Sequence, residues 1–210
     1  MIRAVVFDMD GVLIDAKDWH YEALNRALAL FGAQIERADH LAIYDGLPTR
    51  AKLEMLSQRT GLPRRLHAFI NDLKQSYTLE LVHERCRPVF AHEYALSRLR
   101  ERGYRLALAS NSVRESVDLM MSRSALGGYL DFSLCNADVA RAKPDPEIYL
   151  LASERLGLDP SEVLVVEDND NGIAAARAAG THLLVVGSVE DVTFAAISAR
   201  IAEVDAGVVA

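Results

Sequence analysis

Hydrophobic positions along this chain fall into two rhythms. Short apolar runs, "RAVVFD" (3–8), "YRLALAS" (104–110), "LDFSLC" (130–135), "EVLVVED" (162–168) and "THLLVVG" (181–187), read as strands, the first, second and fourth of them buried. Between the later runs the spacing changes to steps of three and four. There "HEYALSRLRERG", "SVRESVDLMMSRSALGG", "PEIYLLASERLG" and "NGIAAARAAG" predict helices, each stopped by glycine. Strands alternating with helices predict a parallel sheet covered on both faces, its connections right-handed crossovers.

The first strand stands apart from the others. From Lys17 to Phe31 the apolar positions His20, Ala23, Leu24, Ala27, Leu28 and Phe31 recur at helical spacing, and Gly32 closes the helix. Residues 33–85 are more polar and read as helical throughout, as in "TRAKLEMLSQRTG" and "RRLHAFINDLKQSYTLELVHER". Gly46, Pro48, Gly61 and Pro63 punctuate them, and no strand-like run occurs. The chain therefore predicts an α/β core, residues 1–15 and 86–210, split by an all-helical insertion over residues 16–85. Ligands of open parallel sheets bind beyond the carboxyl ends of the strands, so those ends are where chemistry is expected.

Composition narrows the classes. Half of the 210 residues are apolar and a quarter charged, as in an ordinary globular protein. No apolar run approaches the roughly 20 residues that span a bilayer. The apolar run in "MIRAVVFD" is too short for a signal peptide and meets acids at once, so a cytosolic, cytoplasmic protein without a membrane partner is expected. The formal net charge is −7 and no basic block occurs, which argues against a nucleic-acid partner. Cys86 and Cys135 lack the spacing of a zinc site or redox pair and read as reduced structural thiols.

Four strand ends carry polar signals. The first run ends in Asp8-Met9-Asp10-Gly11. Residues 8 and 10 share a side of the chain, and Gly11 allows positive φ and close approach to a ligand. Two such carboxylates can hold a divalent cation, or one can attack while the other moves a proton; the plain alternative is turn formation and helix capping. "RLALAS" runs into Ser110-Asn111-Ser112, suited to an anion or to a simple N-cap. "RAKPDPEIY" holds Lys143 in a loop stiffened by Pro144 and Pro146, where it is either a phosphate partner or a solvated lysine. "VLVVEDNDNG" delivers Glu167 and Asp168 at the end of an apolar strand. Capping accounts for Asp170 or Asn171 but not for these two, and oxygen-rich carboxylate sites suit Mg2+. Carboxylates, a hydroxyl, a lysine and helix N-termini on one sheet edge suit Mg2+-assisted phosphoryl transfer.

As an ordered set, "FDMDGVLID", "LALASNS", "AKPDPEIY" and "VVEDNDNGIAAARAAG" resemble the haloacid dehalogenase superfamily of hydrolases, in the branch of β-phosphoglucomutase and small-molecule phosphatases. The resemblance covers essentially the whole chain. It implies a Rossmann-like, doubly wound core with a helical cap inserted after the first motif. It makes Asp8 the nucleophile and Asp10 the general acid/base. Ser110 would bind the transferring phosphoryl group, with Asn111 beside it, and Lys143 would neutralise that group and steady Asp8. Mg2+ would be held by Asp8, Asp10 (through its backbone carbonyl) and Asp168, with Glu167 supporting the site.

Asp10 separates branches: dehalogenases lack an acid there because a leaving halide needs no proton. The phosphonate-cleaving branch uses a cap lysine, and Lys17, Lys52 and Lys74 lie in the insertion without its local motif. The cap decides between water and a sugar hydroxyl as acceptor. His20, Thr49, Arg50 and Lys74 are its candidate substrate contacts. Ala16 stands where the branch often has a hydroxyl residue, and this departs from the mutase pattern. The expected activity is phosphatase action on a small sugar or polyol phosphate by a monomer. The alternatives are a sugar-phosphate mutase and, from another class, a non-catalytic phosphate-binding protein on this fold.

Overall fold

The computed structural model describes residues 1–44 and 47–207, and the chain divides into two compact units, Met1–Asp15 with Cys86–Ala210, and Ala16–Arg85. Gly46, expected to punctuate the insertion, lies outside the described residues.

The larger unit is built on a five-stranded parallel sheet of β1 (Ala4–Phe7), β2 (Arg105–Ala109), β3 (Phe132–Leu134), β4 (Val163–Glu167) and β5 (His182–Val185), in the order β3-β2-β1-β4-β5. β1 is therefore central. Every residue of β1 and β4 is buried, which is why these strands carry continuous apolar runs. Alternation sends Ala4 and Val6 to one face together with Ala107, Ala109, Val163 and Val165. There they meet α7 (Glu147–Leu156) and α8 (Asp170–Ala179) through Ile148, Tyr149, Ala152, Ala175 and Ala176. α5 (Phe90–Glu101) and α9 (Phe194–Asp205) pack on each other and against β2 and β5.

The parity of that face continues to the last residue of β4 and one residue past β1. Asp8 follows Ala4 and Val6, and Glu167 follows Val163 and Val165, so both carboxylates emerge on the side covered by α7. The register pairs Phe7 with Val166, and the Asp8 N–H donates to the Val166 carbonyl at 3.0 Å, which sets Asp8 beside Glu167.

The smaller unit is helical, with α1 (Lys17–Ala29), α2 (Arg37–Asp39), α3 (Thr49–Thr60) and α4 (His67–Arg85). α1 and α4 pack along each other. Leu24, Ala27 and Leu28 of α1 join Leu53, Leu56 and Ile70 in its core. Among the described residues no helix is long and apolar enough to cross a membrane. Cys86 and Cys135 are free and buried.

Two expectations of local structure differ, and one helix is additional. α1 ends at Ala29, and Phe31 packs on the core from the following turn rather than from the helix. α6 (Arg114–Arg123) stops short of Gly127: Ser124 donates its hydroxyl to the Met121 carbonyl, Ala125 takes φ +60°, and the Leu126 N–H closes onto the Met121 carbonyl at 3.2 Å. Serines at this point compete for backbone groups and favour an early stop. α9 had no sequence expectation; Thr193 caps it, accepting from the Ala196 N–H, and Ile197 and Ile201 bury its inner face.

Candidate active site

The motif residues of the α/β unit converge at the carboxyl ends of β1, β2 and β4. After β1 the chain turns at once: the Leu13 and Ile14 N–H groups both donate to the Met9 carbonyl, and Gly11 adopts φ +93°, a region closed to most side chains. Asp8 is held at the base of this turn and is buried; Asp10 is half-buried.

Lys143 reaches this centre from the loop before α7 and is itself buried. Its ammonium donates to Asp8 Oδ1 at 2.6 Å, to Glu167 Oε1 at 2.7 Å and to the Ala109 carbonyl at 2.8 Å, so all three of its protons have acceptors. Asn111 holds the loop: its Oδ1 accepts from the Lys143 N–H at 3.0 Å and its amide donates to the Lys143 carbonyl at 3.3 Å. Tyr149, on α7, places its ring 4.7 Å from the ammonium and donates its hydroxyl to Glu167 Oε1 at 2.7 Å.

Glu167 is fully buried with both oxygens engaged. Oε1 accepts from Lys143 and Tyr149; Oε2 accepts from the Asp168 N–H at 3.0 Å and the Asn169 side chain at 3.2 Å. Asn169 also caps α8, accepting from the Gly172 N–H at 3.0 Å. A Cβ at Gly172 would stand 1.7 Å from Glu167 Oε1, so only glycine lets the helix approach this carboxylate.

The electrostatics are unbalanced. One carboxylate oxygen each from Asp8, Glu167 and Asp168 lies within 4.8 Å of the others, and Lys143 is the ammonium that meets two of them. Burial pushes the Asp8 pKa well up, and the Glu167 and Asp10 carboxylates push the same way against Lys143. Burial works against the Lys143 charge, but Asp8 and Glu167 outweigh it and raise its pKa. Tyr149 is raised well above the ordinary phenol by burial, Glu167 and Asp8, so it stays a neutral donor. The surplus of negative charge over one lysine, on hard oxygen donors, fits a divalent cation such as Mg2+.

Ser110 directly follows β2 and is buried, with its N–H on the Leu134 carbonyl at 3.1 Å and its hydroxyl oxygen accepting from the Ser112 N–H at 3.0 Å. The Ser112 hydroxyl donates to Asp10 Oδ2 at 2.7 Å. Asp8, Asp10, Ser110, Asn111, Lys143, Glu167 and Asp168 thus belong to one unit and one strand-end region. His20, Thr49, Arg50 and Lys74 belong to the helical unit. There Lys74 Nζ lies 3.1 Å from His20 Nδ1, while Thr49 and Arg50 open α3, half-buried and exposed respectively.

Sequence reasoning missed Tyr149 and the contacts that Ser112 and Gly172 make with Asp10 and Glu167. Tyr149 was readable as a tyrosine on an apolar helix face, where a buried hydroxyl needs a partner. Ser112 acts across 102 residues and local sequence carries no sign of its partner; Gly172 lies five residues from Glu167, but only the turn into α8 brings the two together.

Comparison with known proteins agrees with this geometry. Residues 5–186 match the haloacid dehalogenase-like hydrolase family. Over 201 residues the chain is 33% identical to a phosphorylated carbohydrates phosphatase of Thermotoga maritima, covering 90% of this chain and 88% of that protein. Among solved structures, β-phosphoglucomutase from Clostridium difficile shares the fold, with a TM-score of 0.82 at 22% identity over 98% of this chain and 100% of the other. CbbY from Rhodobacter sphaeroides, solved in complex with xylulose-(1,5)bisphosphate, is 25% identical with a TM-score of 0.77, over 88% of this chain and 86% of the other. The family match spans Asp8, Ser110, Lys143 and Asp168, and the chain belongs to the haloacid dehalogenase-like hydrolases.

Proposed function

We propose that this hydrolase is a Mg2+-dependent phosphatase acting on a small sugar or polyol phosphate through an aspartyl phosphate on Asp8. The observation that carries the reading is the buried Asp8 carboxylate, bonded to Lys143 at 2.6 Å and clustered with Glu167 and Asp168. A carboxylate attacking a phosphate dianion meets like-charge repulsion, and Lys143 offsets it while stabilising the equatorial oxygens. Asp8, Asp168 and the backbone carbonyl of Asp10 would hold Mg2+; Glu167, with both oxygens already accepting from protein donors, supports them from behind. Mg2+ supplies Lewis-acid stabilisation of phosphoryl charge when bound.

Asp8 attacks phosphorus as the ester oxygen leaves with a proton from Asp10. Water then cleaves the aspartyl phosphate and returns a proton to Asp10. The Ser110 hydroxyl binds the phosphoryl oxygens; its oxygen accepts from Ser112, so its own proton is available to them. Substrate selection is assigned to residues of the helical unit, His20, Thr49, Arg50 and Lys74. The sugar-phosphate assignment draws support from the Thermotoga relative, a phosphatase of phosphorylated carbohydrates, and from the sugar bisphosphate held by CbbY.

The test is phosphate release from a panel of sugar, polyol and nucleotide monophosphates with Mg2+. Sugar monophosphates are also followed by NMR, with and without catalytic bisphosphate. Release concentrated on sugar or polyol phosphates, abolished in a folded Asp8→Asn variant, is the expected result. Normal turnover by that variant removes Asp8 as nucleophile, and bisphosphate-dependent isomerisation without release makes the enzyme a mutase.

A further inference from the structure

We infer that Ser112 is the positioning residue for the proton that Asp10 delivers, and that it tunes the enzyme to ester oxygens that leave as alkoxides. The inference rests on the phosphatase reading above and deepens it.

The hydroxyl after β2 has a plain alternative use, capping α6, and the structure does not show that use. The N-cap position is Val113, and no side chain caps this helix. The Ser112 hydroxyl instead donates to Asp10 Oδ2 at 2.7 Å, across 102 residues of sequence. Its backbone is held at both ends: the N–H donates to Ser110 Oγ at 3.0 Å and the carbonyl accepts from the Asn136 N–H at 3.1 Å. One residue therefore orients two groups that must act together, the phosphoryl-binding hydroxyl of Ser110 and the carboxyl of Asp10.

Oδ2 accepts from Ser112, which sets the carboxyl plane and makes Oδ1 the oxygen that hands over the proton in this reading. In the first step Asp8 forms a bond to phosphorus while the bond from phosphorus to the ester oxygen breaks. The electron pair goes to that oxygen, which takes the Oδ1 proton. A sugar or polyol oxygen cannot leave without that proton; the p-nitrophenolate oxygen, whose charge the ring delocalises, can. The contribution of Ser112 should therefore grow with the basicity of the leaving oxygen.

Wild type, Ser112→Ala and Ser112→Thr are compared on β-glycerophosphate and on p-nitrophenyl phosphate with Mg2+, with a stopped-flow burst of p-nitrophenolate reporting the first step alone. Loss of a hydrogen bond to a catalytic carboxyl should lower kcat/KM for β-glycerophosphate about tenfold in Ser112→Ala. The p-nitrophenolate burst rate should stay within about twofold, because that step needs little help from the acid. Ser112→Thr, which keeps the hydroxyl, should restore the alkyl substrate. Equal loss on both substrates would reduce Ser112 to a structural residue, and no loss on either would overturn the inference. Wild type inactive on both esters would instead overturn the phosphatase reading, and this inference with it. Ser112→Gly replaces the alanine variant if that one does not fold.

Discussion

Lys143 Nζ stands 2.6 Å from Asp8 Oδ1, although 135 residues separate the two along the chain. Neither is tolerable in this place alone: a buried charge without its partner is strongly destabilising. The pair is joined by Glu167, 2.7 Å from the same ammonium. Lys143→Ala therefore leaves two carboxylates buried without their cation. The expected cost is about 3–5 kcal/mol of stability, read by urea unfolding, and a fall in kcat of at least about 10²-fold. A variant as stable as wild type would mean the carboxylates do not depend on this lysine.

The same imbalance of charge predicts a response to metal that needs no turnover. Mg2+ at a hundredfold excess over its Kd should raise the melting temperature on the order of 5–10 °C. Asp168→Asn should lose most of this shift while keeping the fold, and a chelator should stop phosphate release until Mg2+ is restored. An equal shift in wild type and variant would move the cation away from Asp168.

Gly172 is tested by the smallest possible change. In Gly172→Ala the new methyl would fall 1.7 Å from Glu167 Oε1 and force that carboxylate away from Lys143 and Tyr149. Such overpacking costs about 1–3 kcal/mol, and misplacing the site by an ångström lowers kcat about 10²-fold. Thermal unfolding and steady-state kinetics on one sample check both. Wild-type kinetics would show that Glu167 has room the structure does not display.

Away from the site, Asp131 links the start of β2 to α5. Partial burial works to raise its pKa, but hydrogen bonds from Arg105 at 2.7 Å and Arg100 at 2.9 Å outweigh it and hold the pKa down. A carboxylate depressed in the folded state contributes stability above its unfolded pKa, about 3.9, and loses it as pH falls through the folded value. Asp131→Asn should therefore melt below wild type at neutral pH, with the gap closing as the pH is taken under about 4. A gap independent of pH would assign the loss to packing.

Much of this protein is written locally. The apolar runs ending at Asp8, Ser110 and Glu167 determine the parallel sheet, because a strand buried on both faces admits few polar residues before its end. The change to helical spacing at Lys17 marks the interruption, and the motifs name Asp8, Asp10, Lys143 and Asp168. Elements whose ends depend on backbone competition, such as the early stop of α6 at Arg123, are not legible in this way. Nor was α9, a short amphipathic helix whose buried Ile197 and Ile201 sit among alanines that carry little pattern.

The pairings belong to the tertiary structure alone. The order β3-β2-β1-β4-β5 places β1 between β2 and β4, and only then do Asp8, Ser110 and Glu167 become neighbours. That Lys143 bonds to Asp8 and Glu167, that Tyr149 turns its hydroxyl to Glu167, and that Ser112 holds Asp10 follow from side chains of different elements meeting across 18 to 135 residues of chain. A sequence determines which groups are present and the period at which they recur. Which charges share a buried space is decided when the sheet closes, since desolvation and Coulomb attraction act on distance through space and not along the chain.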